Sequence, residues 1–188
     1  KRWAPYFFKT QYRAVTGEDY TTFANQFTST AGISGRCTAV LRNSGAGANM
    51  IDLYVVAKAT DRQVERAPLV YKQELLTYLD SHKMLTDEIT VVDGLVRTID
   101  LVATVFLDSE FKTFEEDIRS RAGNTVMEFF NVDRREFGER FKIADLTREL
   151  FAMPEVRFTN IDNLTEDVKL NFNEIIQLNN VEVNVEYV

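Results

Sequence analysis

The chain has 188 residues, of which 45% are hydrophobic and 12% aromatic, enough for one large domain or two small ones. Its net charge of −7, from 29 acidic and 22 basic residues, argues against a sequence-independent nucleic-acid binder, because such proteins rely on basic groups that neutralise phosphates. The single cysteine, Cys37, excludes an internal disulfide framework, and no apolar run approaches the roughly 20 residues that cross a bilayer, so no membrane partner is expected.

A helix start at Thr16 is the strongest local signal. The Thr16 hydroxyl can accept a hydrogen bond from the Asp19 amide while the Asp19 carboxylate reaches back, which is a capping box. Val15 and Tyr20 have the spacing of a hydrophobic staple. Apolar side chains then recur with helical spacing and predict a buried aromatic face, made of Tyr20, Phe23, Ala24 and Phe27. The aromatic segment before the helix, residues 3–12, is expected to pack on it as an extended arm.

Two alternating segments follow the first helix. Residues 36–42 and 50–57 each place apolar side chains on one side, and the glycine-bearing loop between them predicts an antiparallel pair. A second helix is predicted to begin at Pro68, because proline is tolerated at the first helical position. Lys72 is expected to face water, and the apolar stripe is predicted from Leu69, Leu75, Leu76, Leu79 and Met84.

The dipeptide Asp93-Gly94 predicts a second hairpin. A tight two-residue turn needs positive φ, which glycine adopts readily. Alternating segments flank the dipeptide at residues 89–92 and 95–107, as the two arms of such a hairpin would.

Another capping box, Thr113 with Glu116, predicts a helix through Phe130. A short helix is predicted around Leu146, and it must end before Pro154 because a residue that precedes proline disfavours the helical conformation.

The last part of the chain has β-type patterns. Residues 156–161 read as a strand. Asn179-Asn180 separates two alternating segments, residues 172–178 and 181–188, which predicts a final hairpin.

Together these elements predict an α+β fold of two small lobes, in which antiparallel hairpins pack against helices. We place the first lobe at residues 1–108, with the aromatic arm at its start, and the second at residues 109–188, ending in the C-terminal hairpin.

Residue types that carry catalysis are scarce. His82 is the only histidine, it lies at a helix end, and no nucleophile elbow accompanies it. One histidine and one cysteine cannot form a structural zinc site, and the loop at Gly45 lacks the Gly-Lys-Ser/Thr end of a phosphate-binding loop. The sequence therefore predicts a protein that is not an enzyme and has no cofactor, while a Mg²⁺ site made only of carboxylates stays open.

Two features of the second lobe are candidate interfaces. Five arginines lie among acidic residues, which is typical either of a salt-bridged surface or of a contact with an acidic partner: Arg119, Arg121, Arg134, Arg135 and Arg140. The last predicted strand has an apolar and an acidic-polar side, and an edge of this kind is either blunted by charge or used by a partner. Its apolar residues are Val181, Val183, Val185 and Tyr187.

The run Gln11-Tyr12-Arg13-Ala14-Val15-Thr16, followed by Glu18-Asp19-Tyr20, a helix and the turn Gly32-Ile33, resembles the baseplate J-like family. Members of that family are wedge subunits in the baseplates of contractile phage tails and related injection machines. The resemblance covers residues 5–107. A helix, the Ile-Ala-Asp-Leu-Thr segment at residues 143–147 and closing strands are what the family implies for the rest.

The resemblance implies a structural protein of the virion, located in a phage tail baseplate that is assembled in the host cytoplasm. It implies that paired copies associate within a six-fold baseplate, and with other wedge proteins, to connect the hub to the periphery. Because the chain does not begin with Met, we expect a C-terminal fragment of a longer subunit. The alternative is a stand-alone module that binds a glycan or a host surface through the aromatic residues of segment 3–12.

Overall fold

The computed structural model describes residues 13–43 and 49–188, so the aromatic arm expected at residues 3–12 lies outside the described residues. The described chain has helices and two sheets, which confirms the α+β class. It forms two compact units: one runs to Thr60 and includes Val64–Leu95, and the other comprises Asp61–Gln63 and Val96–Val188. The predicted boundary at residue 108 follows the long strand Leu95–Leu107, whereas this division falls after the first residue of that strand.

The first unit is a four-stranded sheet with two helices. Strand β2 is central: β1 and β3 pair with it antiparallel, and β4 pairs with it parallel. The β1–β2 pair is the one predicted from the sequence, and it places Cys37 opposite Val55. The elements in chain order are α1 (Gly17–Gln26), β1 (Gly35–Asn43), β2 (Asn49–Lys58), β3 (Val64–Arg66), α2 (Leu69–Asp80) and β4 (Asp87–Asp93).

The predicted capping box opens α1. The Asp19 amide donates to Thr16 Oγ1 at 3.2 Å, and Asp19 Oδ2 accepts from the Thr16 amide at 2.9 Å. The predicted staple does not form, because Val15 is 54% exposed while Tyr20 turns into the core. Tyr20, Phe23 and Ala24 are fully buried, as their spacing indicated.

Tyr20 joins α1 to the start of β4. Its hydroxyl donates to Asp87 Oδ2 at 2.7 Å and accepts from the Met84 amide at 3.3 Å. Asp87 is 4% exposed, and its second oxygen accepts from Asn49 Nδ2 at 3.0 Å and from Thr86 Oγ1 at 3.3 Å. Burial, followed by the hydrogen bond to Asp87, raises the pKa of Tyr20, so the hydroxyl remains a donor.

The hairpin predicted at Asp93-Gly94 is wrong. Strand β4 pairs instead with β2, with Val91 opposite Leu53, and the Gly94 amide donates to the Val55 carbonyl at 2.9 Å. Parallel strands need a crossover connection, and helix α2 supplies it. Gly94 does not adopt positive φ, so the tight turn does not form and the chain continues into the second unit.

The carboxylate of Asp93 instead anchors the end of β4. Its Oδ1 lies 2.5 Å from Lys72 Nζ and its Oδ2 lies 2.9 Å from Arg66 Nη2. Lys72, which was expected to face water, has a side chain that is only 16% exposed. The hydrogen bond from Lys72, aided by the one from Arg66, holds the pKa of Asp93 below its usual range.

The second unit is a three-stranded sheet packed with two helices. The strand order is β6-β5-β7, with β5 central and β6 antiparallel to it. An aromatic group of Phe129, Phe130 and Phe141 lies in the core, with ring centroids 5.3 to 5.9 Å apart. The elements are β5 (Leu95–Leu107), α3 (Glu115–Phe129), α4 (Ile143–Phe151), β6 (Val156–Ile161) and β7 (Glu174–Tyr187), with short 3₁₀ helices at Ser109–Phe114 and Val132–Arg134.

The capping box predicted at Thr113 does not form. Residues Ser109–Phe114 make a 3₁₀ helix that runs directly into α3, and Phe114 stands at the cap position without a side-chain hydrogen bond. A capping threonine needs an extended backbone, which a residue inside a helical turn does not have. Phe114 is 60% exposed.

The predicted C-terminal hairpin is replaced by one continuous strand, Glu174–Tyr187. Ile176 and Leu178 pack on the core before Asn179-Asn180, and Val181 packs on the same core after it. The inward-facing positions therefore change from even to odd numbers across the dipeptide. Such a change requires an extra residue within the strand, as in a β-bulge, and not a reversal of the chain.

Replacing Tyr20 with phenylalanine is expected to lower the free energy of unfolding of the first unit by about 1–3 kcal/mol, because buried Asp87 loses a hydrogen-bond donor. Urea unfolding followed by circular dichroism measures the change. Tyr78→Phe is the matched control, since the Tyr78 hydroxyl has no hydrogen bond among the described residues, and its effect should stay within about 0.5 kcal/mol. Equal losses in the two variants would contradict the role of Tyr20.

Replacing Asp93 with asparagine should destabilise the first unit by about 1 kcal/mol at neutral pH. Because the folded-state pKa of Asp93 is lowered, its contribution is present above the unfolded-state pKa of about 3.9 and is lost as pH falls through the folded-state pKa. Urea titrations in neutral and strongly acidic buffer should therefore show a difference between wild type and variant that disappears in acid. A difference independent of pH would rule out the ion pairs as its source.

Candidate assembly interface

The arginines predicted as an interface are largely engaged with their own unit. On α3, Arg119 Nη2 lies 2.6 Å from Glu115 Oε1 and Arg119 Nη1 lies 2.8 Å from Glu116 Oε1. Arg121 Nη2 lies 2.6 Å from Glu155 Oε1, and this hydrogen bond raises the pKa of Arg121 and lowers that of Glu155. Acids of the same unit, on α3 itself for Arg119 and beyond α4 for Arg121, thus neutralise much of the charge of these two arginines.

Arg140 differs from the two arginines of α3, whereas Arg134 resembles them because it is paired with an acid. Arg134 Nη2 lies 2.6 Å from Glu149 Oε1, and the Arg134 side chain is 43% exposed. Arg140 is exposed and has no ion pair among residues 13–43 and 49–188. The positive charge that a partner can reach is therefore centred on Arg140, with Arg134 as a second, partly neutralised group.

Arg135 is buried rather than presented to a partner. It is 7% exposed, and its guanidinium carbon lies 4.3 Å from the centroid of the Phe129 ring and 5.8 Å from that of Phe130. The nearest carboxylate oxygen, on Glu139, is 3.9 Å away. Burial lowers the pKa of Arg135 below that of a free guanidinium. The cation is thus stabilised mainly by ring faces, which makes Arg135 a core residue.

The apolar side of β7 packs on the core of its own unit. Val181, Val183, Val185 and Tyr187 are partly buried against that core, and the residues between them are exposed. The Tyr187 hydroxyl donates to a carboxylate oxygen of Glu115, which raises the pKa of Tyr187. The alternation predicted from the sequence is therefore present, and the four apolar side chains are used within the unit.

An exposed aromatic pair was missed by sequence reasoning. Phe158 on β6 is 59% exposed, and its ring centroid lies 5.6 Å from that of Phe106, the residue directly opposite on β5. Simple alternation puts Phe158 on the same side as buried Val156. A register shift between Phe106 and Leu107 adds a residue on β6 and turns Phe158 to the outside, a change for which the sequence has no signal.

The histidine and the cysteine of the sequence both pack against neighbouring side chains of the first unit. His82 Nδ1 lies 2.9 Å from the Tyr78 carbonyl, and its ring contacts those of Phe23 and Tyr78 at 4.6 Å. Burial raises the pKa of the Cys37 thiol to about 12, so the thiolate is scarce at neutral pH.

Within the described chain, no three or more His, Cys, Asp or Glu side chains are grouped so as to hold a metal ion. Each described helix is too short or too polar to cross a bilayer.

The segment that carries the family resemblance has a clear role in the first unit. Ala14 is fully buried and its amide donates to the His82 carbonyl at 2.9 Å. Thr16 and Asp19 form the cap of α1, and Tyr20 reaches Asp87. The motif therefore fixes the position of a helix, and its described residues show no arrangement for chemistry.

No protein-family model matches the chain, and no curated protein matches it in sequence. Among solved structures, the chain is similar to a chain in the cryo-EM structure of the anti-feeding prophage baseplate, determined with six-fold symmetry. The TM-score is 0.50 and the identity is 11%, and the match covers 95% of this chain and 40% of that one. At this identity the similarity is one of fold. This chain thus corresponds to about two fifths of the length of the baseplate chain.

Replacing Arg135 with glutamate is expected to lower the free energy of unfolding by about 3–5 kcal/mol, because a buried carboxylate would face Glu139 and two ring faces. Arg140→Glu makes the same charge change at an exposed position and should shift stability by no more than about 0.5 kcal/mol. Thermal unfolding of both variants measures the contrast. Similar small shifts would show that Arg135 is not a core residue.

Proposed function

We propose that this chain is a structural part of the baseplate of a contractile injection system, namely a portion of a baseplate J-like wedge subunit. The observation that carries the proposal is the fold similarity to a prophage baseplate chain, which extends over 95% of this chain and hence over both units. The motif at residues 11–20 supports it independently, because it was linked to the same kind of assembly from the sequence alone.

In this proposal the function is mechanical linkage without catalysis. Paired copies of the subunit associate within a six-fold baseplate and join other wedge proteins, so that the hub is connected to the periphery. The protein would act in the tail baseplate of a virion or phage-like particle, after assembly in the host cytoplasm. The structural surroundings of His82 and Cys37 favour this reading, since the sole imidazole and thiol of the sequence are used in packing.

The charged part of the proposed interface includes fewer residues than the five arginines predicted from the sequence. Arg135 is buried, and Arg119, Arg121 and Arg134 are each paired with an acid of their own unit. The charged contact with an acidic partner is therefore centred on Arg140, with Arg134 as a second, partly exposed group. Exposed charges of this kind set the orientation and the rate of association more than they add affinity. The second proposed surface is strand β7.

The double reversal Arg134→Glu with Arg140→Glu should weaken self-association about tenfold while changing folding stability by only about 0–1 kcal/mol, because both side chains are at the surface. Sedimentation velocity across protein and salt concentration measures the association. Arg97→Glu with Lys169→Glu is the matched control, since it changes the net charge equally at two other exposed positions of the second unit.

Equal weakening by the two double variants would show that net charge alone is responsible. A wild-type chain that remains monomeric at every concentration would contradict self-association and favour the stand-alone binding module.

A further inference from the structure

The outer edge of β7 has backbone groups that no described strand pairs with. In the sheet order β6-β5-β7, strand β7 has β5 on one side and no described strand on the other. The Val188 amide donates to the Leu107 carbonyl at 3.0 Å, so the backbone groups at even-numbered positions of this segment point toward β5. Those of Val181, Val183 and Val185 therefore point away from β5, along the edge.

Two other sheet edges in the described part of the chain, those of β1 and β6, are covered or irregular. On β1, the Asn25 amide group donates to the Cys37 carbonyl at 2.8 Å and accepts from its amide at 3.1 Å, while Thr21 Oγ1 accepts from the Ala39 amide at 2.9 Å. Side chains of α1 thus take the place of a further strand. Strand β6 is short and has the register shift beside Phe106, which makes an edge hard to extend. The segment of β7 after Asn180 is longer than β6, and its partly buried and exposed residues alternate to the end of the strand.

The side chains on this segment select the kind of strand that can be added. Glu182, Asn184 and Glu186 are exposed and lie on the side opposite the core. Neither glutamate has an ion pair in the part of the chain that the structure describes. Side chains of directly opposed residues on adjacent strands lie within about 5.5 Å, so an added strand would place its alternate side chains beside these carboxylates. Basic side chains are favoured there and acidic ones are repelled.

We propose that the Val181–Val185 edge of β7 binds an extended segment of a partner chain that has lysine or arginine at alternate positions, by strand addition. A second copy of β7 is a poor occupant, because its own glutamates would face Glu182 and Glu186. The inference rests on the proposed function for the existence of a partner chain, while the edge itself follows from the sheet order and the side-chain charges.

The test uses three short peptides on the whole chain: one with alternating threonine and lysine, one with alternating threonine and glutamate, and one with the lysines of the first gathered in a block. Amide hydrogen exchange and NMR titration report the site of binding. The alternating lysine peptide should protect the amides of Val181, Val183 and Val185 and bind about tenfold more tightly than the other two. Binding no tighter than that of the block peptide, or protection elsewhere, would overturn the inference.

Two variants separate the edge from general charge attraction. Val183→Pro removes an outward amide without removing a bond to β5 and should abolish protection by the peptide, whereas Val183→Thr should retain it. Glu182→Lys with Glu186→Lys should reverse the preference toward the alternating glutamate peptide. An unchanged preference in the charge-reversed variant would contradict the proposed selection.

Sedimentation of the same samples distinguishes this inference from the proposed function. If Val183→Pro loses peptide binding but self-association is unchanged, the edge serves a different partner chain, as proposed. If wild type binds none of the peptides at this edge yet still self-associates, the strand-addition inference fails while the assembly role stands. If the peptide binds as expected but the chain does not self-associate, the proposed assembly role fails and the strand-addition inference stands.

Discussion

The buried carboxylate of Asp87 is the group on which the arrangement of the first unit depends. It is 4% exposed and accepts hydrogen bonds from Tyr20 on α1, Asn49 at the start of β2 and Thr86 beside it. A buried carboxylate is costly unless donors surround it, so the three donors must be in place together. The position of α1, the start of β2 and the start of β4 are thereby linked, and the parallel crossover between the two strands is fixed.

This dependence explains in physical terms why a short run of residues can be typical of a structural family without containing an active site. Thr16 and Asp19 set where α1 begins, and the helical spacing then determines that Tyr20 faces Asp87. A helix that began one residue later would rotate its aromatic face by about 100° and leave Asp87 without its strongest contact. By fixing where α1 begins, the motif thus determines which residues of the helix face the core.

The sequence was most informative where one local interaction decides the structure. The α1 cap, the β1–β2 pair and the short helix α4 were predicted because their signals lie within a few residues. The parallel pairing of β4 was missed because Asp93-Gly94 has the composition of a turn, while the choice of partner was made by a long-range crossover. The face of Phe158 and the continuity of β7 were missed because each depends on one extra residue in a strand, which alternation cannot reveal.

The candidate interface, too, could be predicted from the sequence only in part. The five arginines look alike in sequence, yet one lies against aromatic rings and three are paired with acids on α3, on α4 and just before β6. Only the folded chain distinguishes a charge that is internal to the unit from one that a neighbour can reach. The distinction for Arg135 depends on Phe129 and Phe130, whose burial brings their ring faces to the guanidinium.

Because Cys37 is buried, the reactivity of its thiol reports how often the first unit opens. A thiol that is 4% exposed, with a pKa of about 12, reacts with an alkylating reagent only in the moments when the core around it opens. Its rate of modification is then proportional to the fraction of molecules in which this part of the core is open. Alkylation at this one site therefore measures how often the first unit opens, without any probe being introduced.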